Sequence, residues 1–267
     1  MHPIERLRYV ARAEGADASL VAVEAAAALC ALARSEPTGL VPACRRLVGR
    51  HLASGPVWWL CARILSSPEP ATEARQAAAE LEADATGSHL AQALPEESTA
   101  LVVGWPEVTA GALRRRGDVE VLVADAGGEG AALARRLGEA GSEVALVPDT
   151  GVAAAAVVAD LVLVEARAAG PGGLLAAPGS HAAAAVAGAS GVPVWAVAGA
   201  GRVLPGRLWE ALLARFDSEG EPWERDGELV PAELVGWFVG PQGPMAPAEG
   251  LAGPTCPAAP ELFRPEA

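Results

Sequence analysis

The spacing of apolar residues changes once along the chain, near residue 95. Before that point it is helical: Leu20, Val23, Ala27 and Cys30 recur every three to four residues. "GLVPACRRLVGRHL" and "PVWWLCARIL" continue the pattern, punctuated by Pro and Gly. Pro56 suits the first turn of a helix, where its missing N–H leaves no bond unmade. Trp58 and Trp59 are expected to pack a helix–helix interface, and a long Ala/Glu/Arg segment, 71–93, closes this half.

From residue 99 the pattern switches to short apolar runs: "TALVV" (99–103), "VEVLVA" (119–124), "EVALV" (143–147), "DLVLV" (160–164) and "VPVWAVA" (192–198). Each is followed by a Gly, Pro or Asp turn and then an amphipathic or Ala-rich segment. This alternation predicts βαβ units. The fold class is therefore α/β: an N-terminal helical layer followed by a mostly parallel Rossmann-like sheet with helices on both faces. "GELVPAELVGWFV" (227–239) predicts one more extended piece and a short helix. The domains are 1–95 (helical), 96–240 (α/β) and 241–267, a Pro/Gly-rich tail expected to be extended or poorly ordered.

Composition narrows the function. The 267 residues carry a formal net charge of −13, which opposes a nucleic-acid surface; "RRR" at 114–116 reads as a helix C-terminus. All 20 basic residues are arginine, so Schiff-base chemistry and a P-loop lysine are excluded. Cys30, Cys44, Cys61 and Cys256 form no CxxC pair, and His2, His51, His89 and His181 show no metal-ligand spacing. No metal and no cofactor are expected. The most apolar stretch, Ser19–Ala33, is interrupted by Glu24, and "MHPIERLRYV" lacks the basic-then-apolar pattern of a signal peptide. The expectation is a cytoplasmic protein with no membrane partner.

Four strand-to-helix turns are candidate sites, because ligands of α/β proteins bind where strand carboxyl ends meet helix N-termini. "VGWPEVT" (103–109) starts a helix at Pro106. "ADAGGEGAAL" (124–133) lacks the dinucleotide spacing and reads as a tight turn. "VPDTGVAAAA" (147–156) offers Asp149 and Thr150, and "APGSHAAAA" (177–185) offers Ser180 and His181. Each reads singly as a helix cap; together they read as an anion pocket.

The order of these motifs resembles the family shared by translation initiation factor 2B alpha/beta/delta subunits and the methylthioribose-1-phosphate and ribose-1,5-bisphosphate isomerases. "ASGPVWWLCARIL" (53–65) is similar to the helix that commonly begins with Arg-Pro-Thr in that family. Residues 98–166 follow its main α/β segment, and "VPAELVGWFV" (230–239) resembles its closing Pro-x-Glu-Leu helix. The departures are informative. Where the isomerases end a strand in Gly-Ala-Asp with a catalytic Asp, this chain has Glu165-Ala166-Arg167; the following Asn-Lys appears as Ala176-Ala177. Residues 85–100 contain no counterpart of the family's catalytic cysteine, and its phosphate-binding Arg-Gly-Ala element is not recognisable.

Moving a proton between adjacent carbons needs a positioned acid and base. Arginine, with a pKa above about 12, is a poor one, and alternation turns Glu165 to the face opposite Ala166. The resemblance thus implies a non-catalytic, regulatory relative. It keeps a pocket for a phosphorylated small molecule, a sugar phosphate or nucleotide, near Asp149, Thr150, Arg167 and Ser180. It also implies a homodimer or a related protein subunit as partner, with Trp195, Trp209 and Phe216 either on that surface or in the core. The competing readings are an isomerase with relocated catalytic residues and a purely structural scaffold. Arg167 either grips phosphate or pairs with an acid such as Asp149.

Overall fold

The computed structural model describes residues 18–218 and 220–264. "MHPIERLRYV" and His2 lie outside them. Among the described residues, five α-helices come first: α1 (Ala18–Ser35), α2 (Leu40–Arg50), α3 (Gly55–Ser66), α4 (Pro70–Glu82) and α5 (Thr86–Ala93). Then follow β1 (Thr99–Val103), α6 (Glu107–Leu113), β2 (Glu120–Ala124), α7 (Glu129–Glu139), β3 (Val144–Val147), α8 (Val152–Val158) and β4 (Leu161–Glu165). A hairpin, β5 (Ala168–Gly170) and β6 (Gly173–Ala176), precedes α9 (Ser180–Ala189), β7 (Val194–Val197) and α10 (Gly206–Phe216). The chain ends in β8 (Glu228–Pro231), β9 (Trp237–Gly240), β10 (Gly243–Met245) and α11 (Pro247–Leu251).

The main sheet runs β3-β2-β1-β4-β7-β9-β10, parallel except for β10 at one edge. Right-handed twist and short βα loops favour this doubly wound arrangement. One face is covered by α5, α6 and α7 through Leu90, Leu113, Leu133 and Leu137. The other is covered by α8 and α9 through Ala155, Ala156, Ala183 and Ala187. A third cluster joins α1–α4 to α10, with Trp58 and Trp59 fully buried at the helix–helix contacts.

α1 is the apolar helix singled out by its sequence, and Val21, Ala25, Leu29 and Leu32 are buried in that cluster. Leu20, assigned above to the apolar face, points outward and is 56% exposed; its neighbour Val21 faces in.

Three segments differ from the sequence expectation. The stretch 168–176, expected as the Gly/Pro turn that follows "DLVLV", is a hairpin: Gly172 supplies the positive φ (+93°) of a Pro-Gly turn. It pairs with β8 to form a second, three-stranded antiparallel sheet. The short helix expected within 227–239 is a 3-10 turn, Ala232–Leu234, followed by strand β9. Trp237, Phe238 and Val239 favour extended backbone, and β7 offers an open parallel edge.

The Pro/Gly-rich tail does not trail away. β10 folds back on β9, Cys256, Ala259 and Leu262 insert into the helical cluster, and Trp59 Nε1 donates to Thr255 Oγ1 at 2.8 Å. Proline lowers the entropy lost on ordering such a segment, so a few apolar anchors suffice. Trp209 and Phe216, two of the three residues considered for a partner surface, are 3% and 4% exposed and belong to the core. Trp195 is half-buried beside the exposed Trp237, at 6.5 Å between rings.

Leu262→Ala should cost about 2–5 kcal/mol, the usual penalty for truncating a fully buried leucine. Urea denaturation followed by tryptophan fluorescence checks this; a loss under about 0.5 kcal/mol, typical of a surface substitution, would show that the tail is not part of the core.

Candidate functional site

β1 and β4 lie side by side, yet the chain leaves β1 towards β2 and leaves β4 towards β7. This is the topological switch point of the sheet, where loops diverge and leave a crevice at the strand carboxyl ends. A cavity of about 980 Å³ opens there. Its walls are the sheet ends and α6–α7 on one side, and the start of α1 with the α2–α3 connection on the other. The two halves meet closely at Gly55, whose N–H donates to Arg167 O at 2.9 Å. A Cβ at Gly55 would stand 2.9 Å from Arg202 Cα, so only glycine allows this approach.

The floor is built on Glu165, the last residue of β4. By alternation it shares the face of Leu161 and Leu163, which puts it under the N-terminus of α6. Glu165 Oε2 accepts from Thr109 N at 2.8 Å and Thr109 Oγ1 at 2.9 Å; Oε1 accepts from Val108 N at 3.3 Å. Arg202 completes the set, its Nη1 standing 3.0 Å from Oε1. The same nitrogen donates to Ala166 O at 2.6 Å. The ion pair is buried, with side chains 3% and 6% exposed.

Arg202 comes from the Gly-rich loop after β7, "GAGRVLPG" (199–206), and sequence reasoning missed it. The usable signal was an arginine among small residues just beyond a strand carboxyl end. Asp84 anchors that loop: its Oδ2 accepts from Ala200 N at 3.0 Å, and its Oδ1 accepts from Thr86 N at 2.9 Å.

Of the four residues expected to share a pocket, the structure brings two to this cavity. Arg167 and Ser180 line it; Asp149 and Thr150 sit in a 3-10 turn after the edge strand β3, exposed and outside it. Arg167 pairs with Asp226 rather than Asp149: Nη1 donates to Asp226 O at 2.7 Å and lies 3.4 Å from its carboxylate. Ser180 opens α9, and the next N–H, of His181, donates to Glu228 Oε1 at 2.6 Å.

Five of the 20 arginines line the cavity (Arg50, Arg114, Arg136, Arg167 and Arg202) against four carboxylates, in a chain whose overall charge is −13. Two of those carboxylates, Glu165 and Asp226, are already engaged by Arg202 and Arg167. No cysteine lines it. All four thiols are buried elsewhere; burial pushes Cys256 up to about 12, and Cys61 is raised by its contact with Cys44 and by burial. Among the described residues, no group of three or more His, Cys, Asp or Glu side chains is arranged to hold a metal ion.

Fold and cavity together define the class: a helix-layered, doubly wound α/β protein with its crevice at the switch point. Solved structures that share this fold include translation initiation factor 2B proteins. The Pyrococcus horikoshii OT3 translation initiation factor eIF-2B superimposes with a TM-score of 0.77 at 16% identity, covering 93% of this chain and 98% of that one. The tetrameric eIF2B-beta2-delta2 complex from C. thermophilum gives 0.72 at 17% identity (93% and 91% covered). The eIF2B beta subunit from Chaetomium thermophilum gives 0.67 at 17% (96% and 94%). No family model matches the sequence, and no curated protein is similar to it. At these identities the likeness is one of fold, and it runs through nearly the whole chain.

Removing Glu165 should be costly because it strands a buried guanidinium. Glu165→Ala is expected to lose about 3–5 kcal/mol, whereas Glu165→Leu combined with Arg202→Met should recover most of that loss. Chemical denaturation of the single and double variants measures this; additive losses would rule out a coupled pair.

Proposed function

We propose that the chain is a divergent member of the family of translation initiation factor 2B alpha/beta/delta subunits and sugar-phosphate isomerases. It binds a phosphorylated small molecule in the switch-point cavity and does not turn it over. The carrying observation is the state of Glu165. Both its oxygens are occupied by α6 backbone, Thr109 and Arg202. A carboxylate whose two oxygens already accept from four donors has no free lone pair aimed at a substrate, which makes it a poor proton acceptor.

Three further observations support the reading. Arg167 stands where the sequence resemblance places the isomerases' catalytic acid. No thiol faces the cavity. Arginines gather at this one crevice of an acidic protein, which favours an anionic ligand there and disfavours anions elsewhere.

The same reading makes the protein a cytoplasmic regulatory component that associates with a second copy or a related subunit. The beta and delta subunits of one fold relative assemble into a tetramer. Of the three aromatic residues considered for such a contact, Trp195 is the one outside the core, and half-exposed Trp237 beside it enlarges that patch.

A thermal-shift screen with methylthioribose-1-phosphate, ribose-1,5-bisphosphate and nucleoside monophosphates tests this. At least one phosphorylated compound should raise the midpoint, and neither sugar phosphate should be isomerised. Arg167→Ala should weaken binding by roughly 1.5–3 kcal/mol, the range for a charge-assisted hydrogen bond. Turnover of either sugar phosphate would overturn the non-catalytic reading.

A further inference from the structure

Resting on the reading of the cavity as a site for a phosphorylated molecule, we infer that the phosphate docks at the seam between the two halves. There it meets Arg202 Nη2 and Ser54 Oγ and displaces the carboxylate of Glu107. Arg202 is 2% exposed. Its Nη1 is engaged by Glu165 and Ala166, whereas Nη2 and Nε make no hydrogen bond among the described residues. A buried donor without an acceptor forfeits its hydration with nothing in return, so structures rarely leave one without a use.

A second orphan stands on the same wall. Ser54 Oγ is buried and makes no hydrogen bond, and Ser54 precedes Gly55, the residue whose missing Cβ lets the Arg202 backbone come close. Both side chains line the cavity. One comes from the helical half and one from the loop after β7, so a group that satisfies both bridges the two halves.

That group is an oxyanion. A guanidinium offers parallel N–H donors in a plane, which suit phosphate or carboxylate, and a serine hydroxyl donates to the same acceptor. Glu107 occupies the approach now, imperfectly. Its Oε2 lies 3.7 Å from Nη2, beyond hydrogen-bond reach, and accepts from Ala18 N at 3.3 Å. Its side chain is 27% exposed at the mouth of the cavity.

The rest of the wall selects a dianion over a single carboxylate. Arg50, Arg114 and Arg136 also line the cavity, and none has a carboxylate partner among the described residues. Because Glu107 also holds the first N–H of α1, its displacement transmits phosphate binding to that helix.

Isothermal titration of the full chain with inorganic phosphate, ribose-5-phosphate and acetate tests the assignment. Phosphate and ribose-5-phosphate should bind and acetate should bind more weakly. Ser54→Ala should weaken phosphate about fivefold to tenfold, and Glu107→Gln, which removes the competing charge, should tighten it by about tenfold. Both positions are partly exposed, so both variants should fold; urea denaturation verifies it. Unchanged affinity in both variants, with loss in Arg167→Ala, would overturn this docking point and leave the phosphorylated-ligand reading standing. Acetate binding as tightly as phosphate would overturn the selection of a dianion. Absence of phosphate and ribose-5-phosphate binding to the native chain would overturn the docking point and the wider reading together.

Discussion

The buried pair of Glu165 and Arg202 is the constraint around which the rest is arranged. It sits at the carboxyl ends of β4 and β7 and meets the first turn of α6. It therefore fixes three elements that sequence separation would otherwise leave independent. Two charges removed from water are stable only with full hydrogen bonding. Glu165 obtains that from Val108 and Thr109; Arg202 obtains half of it from Glu165 and Ala166. The imbalance leaves the carboxylate saturated and the guanidinium with donors in hand.

The same logic recurs at other helix N-termini. Asp125 Oδ1 accepts from Ala131 N at 3.2 Å in α7, and Glu228 caps α9 through His181 N. An acidic chain thus places its own carboxylates where exogenous anions would otherwise bind, since each stabilises the positive end of a helix dipole. What stays open to an anion is the side-chain guanidinium cluster at the switch point. The contrast sets this one crevice apart in charge from the helix ends, whose positive poles the chain's own carboxylates cover.

Attachment of the helical half to the sheet depends on elements with little regular signature. The β5–β6 hairpin, α10 and the C-terminal tail lie between the two: Ala168, Leu175, Trp209 and Leu262 all belong to the cluster that holds α1–α4. The cavity exists because this joint is tight at Gly55 and open beside it. Its shape is therefore a property of the joint, and neither half forms it alone.

Much of this was legible in the sequence. The five runs that became β1, β2, β3, β4 and β7 were visible because period-2 or continuous apolar character between turn residues is a local property. So were the helical first half, the position of Pro56 and the burial of Trp58 and Trp59. The hairpin at 168–176, the strand at 237–240 and the docking of the tail were not legible, because Gly, Pro and short apolar stretches take the conformation their neighbours offer. Nor was the company each site residue keeps. Asp149 and Thr150 share a turn type with Ser180, but the strand order sends β3 to the sheet edge and β4 to its centre. Arg202, far along the chain from Glu165 and anonymous in a Gly-rich loop, becomes its partner only because β7 lies beside β4 in register. The sequence by itself determined which chemical groups were present and which, lysine and asparagine among them, were not. The tertiary structure alone decided which groups meet, since that depends on strand order, and strand order is set by long-range packing that no local pattern encodes.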